Sequence, residues 1–177
     1  MNKNLVVVRA GDQSLHPQWL HKDRNWDLGV SYYGQYPERY KDQYDHLHLF
    51  KGSKWQGLKD YVDTHADLLS RYQRVWFPDD DLLANHATIN LFFDLCEQLD
   101  LTIAQPALTE YSFYFWDITV RRAQLAARMT DFVEIMAPCF KVDGFQHFSP
   151  TFAENTSGCG LEWLWKKIAI RQDIFRF

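Results

Sequence analysis

Arg74-Val75-Trp76-Phe77-Pro78-Asp79-Asp80-Asp81 is an apolar run that ends in three consecutive carboxylates. The β-branched and aromatic residues read as a short buried strand, and Pro78 stops it where the acids begin. Helical patterns flank it. Trp55, Leu58, Tyr61 and Val62 recur at helical spacing and predict a helix over 54–71. Beyond the acids, Leu91, Leu95 and Leu99 form a stripe with Phe92 and Cys96 beside them. A short strand, Leu101 to Gln105, then closes at Pro106. Strands of four to six residues alternating with helices predict an α/β domain with a mostly parallel central sheet, Rossmann-like, over residues 1–177.

The rest of the chain extends this pattern. Leu5-Val6-Val7-Val8 is a buried strand feeding the polar loop Arg9-Ala10-Gly11-Asp12. Trp26 to Tyr33 reads as a strand ending at Gly34, and Asp45 to Phe50 alternates at period two. Ile118 to Arg122 and Phe132 to Phe140 are the late strand candidates. Residues 148–160, rich in Ser, Pro, Thr, Asn and Gly, read as a loop before a helix from Leu161 to Ile170. In such a sheet, ligands gather at the carboxyl ends of the strands.

Composition narrows the function. Nineteen basic against 23 acidic residues leave a net charge of −4, which disfavours bulk nucleic-acid binding. No apolar stretch is long enough for a membrane span or a signal core. Cys96, Cys139 and Cys159 are an odd number at wide spacing, which argues against a disulfide framework and for a cytoplasmic setting. Aromatic residues make up 16% of the chain and suit sugar rings or nucleobases as well as a core.

Crowded carboxylates repel one another unless a cation sits among them. Mg²⁺ or Mn²⁺ is the natural partner, and Asp79 and Asp81 share a side of an extended segment. The competing reading makes Asp81 an N-cap of the next helix. Gly158-Cys159-Gly160-Leu161-Glu162 delivers a carboxylate at a helix start, where it can act as a general base or simply favour the helix dipole. Glu134 lies among apolar neighbours and needs a partner or a wet cleft. Arg121 and Arg122 can pair a phosphate or lie on the surface. His46 and His48 share a face of a strand, but a third nitrogen or sulfur ligand is not spaced nearby.

Taken in order, Val7-Val8-Arg9-Ala10-Gly11-Asp12, Phe77-Pro78-Asp79-Asp80-Asp81-Leu82, Ile103-Ala104-Gln105-Pro106-Ala107-Leu108, Phe132-Val133-Glu134-Ile135-Met136-Ala137-Pro138 and Gly158-Cys159-Gly160-Leu161-Glu162 resemble the glycosyltransferase-like family known as domain of unknown function 707. The resemblance implies a nucleotide-diphospho-sugar transferase architecture of the A type. It implies that Asp79 and Asp81 hold a Mn²⁺ or Mg²⁺ bridging the donor diphosphate, and that Glu162 activates the acceptor hydroxyl. It places Arg9, Gly11 and Asp12, with Asp80, around the donor nucleotide. Glu134, Trp116 and Gln105 are left as candidates for the acceptor side or for support behind the ligands. The expected partners are a nucleotide-diphosphate sugar and a glycan or small hydroxyl acceptor. In this family pattern a further C-terminal segment often supplies a His ligand, whereas this chain ends at Asp173-Ile174-Phe175-Arg176-Phe177. A second reading is therefore a weakly active or inactive sugar- or nucleotide-binding relative. An exposed apolar ending would favour a homo-oligomer.

Overall fold

β1 (Asn4–Ala10) is buried along its whole length and is the axis of the molecule. Its side chains alternate between two cores, as the two-residue period of a strand requires. Leu5 and Val7 join one cluster, while Val6, Val8 and Ala10 join the other. The chain is described here by a computed structural model covering residues 2–173. The apolar ending from Ile174 to Phe177 lies outside the described residues.

β2 (Trp26–Tyr32) pairs parallel with β1, and β3 (His46–Leu49) pairs parallel with β2. The chain then returns through α1 (Lys54–Thr64) and α2 (Ala66–Leu69) to β4 (Arg74–Trp76), which lies on the other side of β1 and parallel to it. After α3 (His86–Gln98) come β5 (Ile103–Ala104), β6 (Cys139–Lys141) and α4 (Leu161–Arg171). The sheet order is β3-β2-β1-β4-β6-β5. Only β6 runs against its neighbours, pairing antiparallel with β4 and β5. The mostly parallel sheet flanked by helices is therefore as the sequence predicts. The strand order reverses between β1 and β4, and their carboxyl ends are where a crevice for ligands opens.

Local chemistry sets the boundaries. Ser53 and Gln56 form a capping box at the start of α1. The predicted helix over 54–71 breaks at His65, because Thr64 Oγ1 donates to the Asp60 carbonyl at 2.7 Å and His65 Nδ1 lies 3.1 Å from the Tyr61 carbonyl. In α3 the buried face is Ile89, Phe93 and Cys96 rather than the leucine stripe. Leu91 is 58% exposed and Leu99 44%. Leu91 and Leu95 instead border an apolar cavity of about 280 Å³ shared with Ile118, Val120 and Leu125.

The two late strands are corrected as well. Asp117–Thr119 is a 3-10 turn, and Val120 makes a single bridge to Leu108. Of the run from Phe132 to Phe140, only Cys139 and Phe140 enter a strand. Pro138 has no N–H to give, and residues 134–137 fold into a turn in which Ala137 N donates to the Glu134 carbonyl at 3.4 Å. The predicted loop at 148–160 contains a 3-10 helix, Ser149–Ala153, that buries Thr151 and Phe152. Phe152 docks on Trp55 and Trp165, and Trp165 Nε1 donates to Thr151 Oγ1 at 2.9 Å.

Phe140 is the hub of this core, with ring centroids of Phe145, Phe148 and Trp165 at 5.1, 5.4 and 5.2 Å. Phe140→Ala should cost about 3–5 kcal/mol in urea unfolding. Leu91→Ala on the outer face of α3 should cost less than about 1 kcal/mol. His16 is fully buried beside Tyr40, with Nδ1 2.6 Å from Ser14 Oγ, and burial pushes it from 6.5 down to about 4. The folded state then refuses a proton that the unfolded chain accepts. Stability falls as pH drops from 6.5 toward 4, by about 2–3 kcal/mol from this group. The wild-type advantage over His16→Gln should shrink across that interval in urea titrations.

Candidate active site

The carboxyl ends of β1 and β4 are tied together across the reversal point. Gly11 N donates to Asp80 Oδ2 at 2.7 Å, and Leu15 N donates to the Asp80 carbonyl at 2.6 Å. Burial, together with Asp81 and Asp79, pushes the Asp80 carboxyl above the usual carboxylate range. Tyr33 lies over the same corner, and a Cβ at Gly11 would come within 2.7 Å of its hydroxyl. Gly11 is thus required for the close approach of that ring.

Because β6 runs backwards, the segment leading into it lies alongside the segment leaving β4. Phe77 N donates to the Pro138 carbonyl and Asp79 N to the Met136 carbonyl, each at 2.8 Å. This brings Glu134 to the acidic corner. Glu134 is buried, and its Oε2 has no hydrogen-bond partner. Burial pushes the Glu134 carboxyl up, Glu162 and Asp79 push it further, and Lys54 opposes them. Gln105 Oε1 accepts from Glu134 N, so Gln105 fixes the backbone beneath that side chain.

Lys54 is a residue that the sequence reading missed. Its Nζ donates to Asp79 Oδ1 and to the Ile135 carbonyl, both at 2.6 Å. A lysine in a first helical turn opposes the helix dipole, and that mismatch was the available signal that an anion holds it. Glu162 is buried in the first turn of α4, and Gly160 N donates to its Oε2 at 3.0 Å. The N-cap reading of Asp81 is overturned, since Asn85 caps α3 by accepting from Thr88 N at 2.9 Å. Asp81 is exposed.

Other sequence candidates are committed within the fold. The Arg9 guanidinium donates to Ser31 Oγ at 3.0 Å and to the Phe50 and Gly52 carbonyls at 3.2 and 2.8 Å. Burial pushes it down to about 10. Arg9 therefore braces the loops behind the corner. Asp12 accepts from the Tyr32 hydroxyl and from Gln35 N, which hold its carboxyl below the usual range. His48 is held between Ser31 and Asp60, at 2.7 and 2.8 Å, while His46 faces the Tyr72 hydroxyl at 3.1 Å. The two-histidine metal reading is corrected accordingly. Arg121 is more than half exposed and lies 3.8 Å from Glu110, and Arg122 is exposed.

Trp116 does not touch the carboxylates. It packs edge-on against Phe132 at 5.3 Å, and Phe132 against Trp163 at 5.7 Å. Trp163, next to Glu162 and 51% exposed, continues this aromatic row and was not foreseen from sequence.

The corner offers oxygen donors of the kind that a hard cation such as Mg²⁺ or Mn²⁺ takes, although Lys54 already holds Asp79 Oδ1 and no three of these carboxylates come within 4.8 Å of one another. Asp79 and Asp81 would supply two carboxylates, the number commonly found beside substrate phosphates.

The fold is shared with solved structures. One, from Desulfovibrio desulfuricans G20 and provisionally named a nucleotide-diphospho-sugar transferase, overlays 99% of this chain and 78% of its own at a TM-score of 0.58 and 12% identity. Residues 1–349 of S. aureus TarS overlay 82% of this chain and 48% of that one at a TM-score of 0.54 and 10% identity. The domain is thus nucleotide-diphospho-sugar transferase-like in fold. Residues 25–129 match the sequence model of DUF707, a protein family of unknown function, and the chain belongs to that family. No curated protein matches it. No helix among the described residues is long and apolar enough to cross a membrane.

The loop that positions Glu162 depends on contact with α1. Gly158 has φ +78°, and a Cβ there would sit 1.8 Å from Trp55 Nε1. At Gly160, with φ +92°, a Cβ would meet nothing within 4 Å. Gly160→Ala should therefore cost only the backbone strain, about 1–2 kcal/mol. Gly158→Ala should cost about 1–3 kcal/mol more. Equal unfolding midpoints for the two variants would contradict this contact.

Proposed function

We propose that this protein transfers a sugar from a nucleotide-diphosphate donor to a hydroxyl of a glycan or small acceptor. The observation that carries the reading is the convergence of Asp79, Glu134 and Glu162 on one corner of a nucleotide-sugar transferase-like sheet, with Lys54 against Asp79. Asp79 and Asp81 are the residues that would hold a divalent cation. Such a cation neutralises the charge of a departing nucleoside diphosphate. Gly11, Asp80 and Tyr33 line the donor side, where the absent Cβ at Gly11 leaves backbone open to a close ligand.

Glu162 is the base that receives the acceptor hydroxyl proton. Burial pushes the neighbouring Glu134 carboxyl up, and the Glu162 charge adds to that push. Gly160 N holds one oxygen of Glu162 and fixes the direction of the other. Trp163 and Trp116, joined through Phe132, form an exposed aromatic row that suits a sugar-containing acceptor. Lys54 keeps Asp79 in place and joins α1 to the turn that carries Glu134.

Calorimetric titration of UDP and GDP, with and without Mn²⁺, tests the donor site without knowledge of the acceptor. Saturable binding that requires Mn²⁺ and is lost in Asp81→Asn is expected. Metal-independent binding, or binding unchanged in Asp81→Asn, would remove the metal assignment. Glu162→Gln should leave nucleotide binding within about twofold while lowering release of nucleoside diphosphate from UDP- and GDP-sugars by about 10²–10⁴-fold.

A further inference from the structure

A second group of ligating side chains shares no residue with the acidic corner. Among the described residues, only His21, Asp23 and His86 bring three metal-ligating atoms within 4.8 Å of one another. The imidazoles of His21 and His86 are stacked, with centroids 4.0 Å apart and planes 15° from parallel. Asp23 N donates to His21 Nδ1 at 3.2 Å, so that nitrogen offers a lone pair. Asp23 Oδ2 stands 3.4 Å from the same nitrogen. A cation bound at this nitrogen would replace that hydrogen bond and also balance the Asp23 carboxylate.

Neighbouring groups do not meet this need. Arg24 is turned away, donating to Asp45 Oδ2 at 2.7 Å and lying over the Trp26 ring. The backbone is already anchored. Asn90 Nδ2 donates to the Asp23 carbonyl at 2.9 Å, Asn25 N donates to Asn90 Oδ1 at 3.1 Å, and His86 opens a helix capped by Asn85.

We propose that His21, Asp23 and His86 form a binding site for a borderline divalent metal such as Zn²⁺, clipping the segment before β2 to the start of α3. Two imidazoles and one carboxylate are a three-ligand set that leaves a fourth position for water. Ligands on one tetrahedral zinc lie about 3.3 Å apart. Metal binding would have to turn the two rings out of their stack, so that both in-plane lone pairs meet at one ion. Imidazole donors select zinc, nickel or copper, whereas Mg²⁺ prefers oxygen and dehydrates reluctantly.

Titration of Zn²⁺ into the full chain, followed by calorimetry and by the imidazole resonances in NMR spectra, tests this site. One zinc per chain should shift the His21 and His86 resonances and raise the melting temperature, and Mg²⁺ should do neither. His21→Ala and His86→Ala should each weaken zinc binding more than about tenfold, the least that losing even a supporting group costs a metal site. Asp81→Asn and Cys159→Ser should leave it intact. Absence of stoichiometric binding, zinc affinity unchanged in the histidine variants, or resonance shifts confined to other residues would overturn the proposal.

Discussion

Carboxylates forced together in a partly dry corner repel, and the architecture at the end of β4 is organised around that repulsion. Asp79, Asp80, Asp81, Glu134 and Glu162 all act on that corner, and Lys54 is the cation fixed within it. Each acid has a different settlement. Asp79 leans on Lys54, Asp80 accepts from the Gly11 amide, and Glu134 is driven toward its protonated form. Such divided environments let like charges share one corner of the fold.

The sheet explains why these groups meet. β1 is paired on both sides, so the loops after β1 and β4 open at one crevice. β6 then adds a reversed strand whose preceding turn faces the same way. Behind this, α1 sits close to the sheet because Gly57 leaves room for the Arg9 guanidinium; a Cβ there would lie 2.4 Å from its central carbon. Arg9 in turn gathers the carbonyls at Ser31, Phe50 and Gly52. The corner is thus built on a buried brace.

Much of the fold was legible because its strands are short apolar runs with clear stops. Leu5 to Val8, Trp26 to Tyr32 and Val75 to Trp76 declare themselves by composition, and the acids after β4 mark a candidate site. Legibility failed where tertiary contacts decide. The leucines of α3 have helical spacing, but Phe93 and Ile89 take the core and leave Leu91 outside. Phe132 to Pro138 has strand-like residues, yet Pro138 and the turn at Glu134 divert it. Arg9 looked like a ligand-binding arginine because the three residues that accept from it, Ser31, Phe50 and Gly52, are distant in sequence. Trp163 was invisible for the same reason, and Lys54 showed only as a cation at the unfavourable end of its helix.

The reversed strand β6 has a further meaning. The acids it helps assemble come from segments far apart along the chain and meet only when the edge of the sheet is closed. β6 is three residues long and β5 only two, so this edge is held by few ladder bonds compared with β1 and β2. Opening of such an edge requires less than global unfolding. The acidic corner therefore belongs to the most complete form of the fold: a chain that has lost its sheet edge can remain folded around β1 while the corner is taken apart.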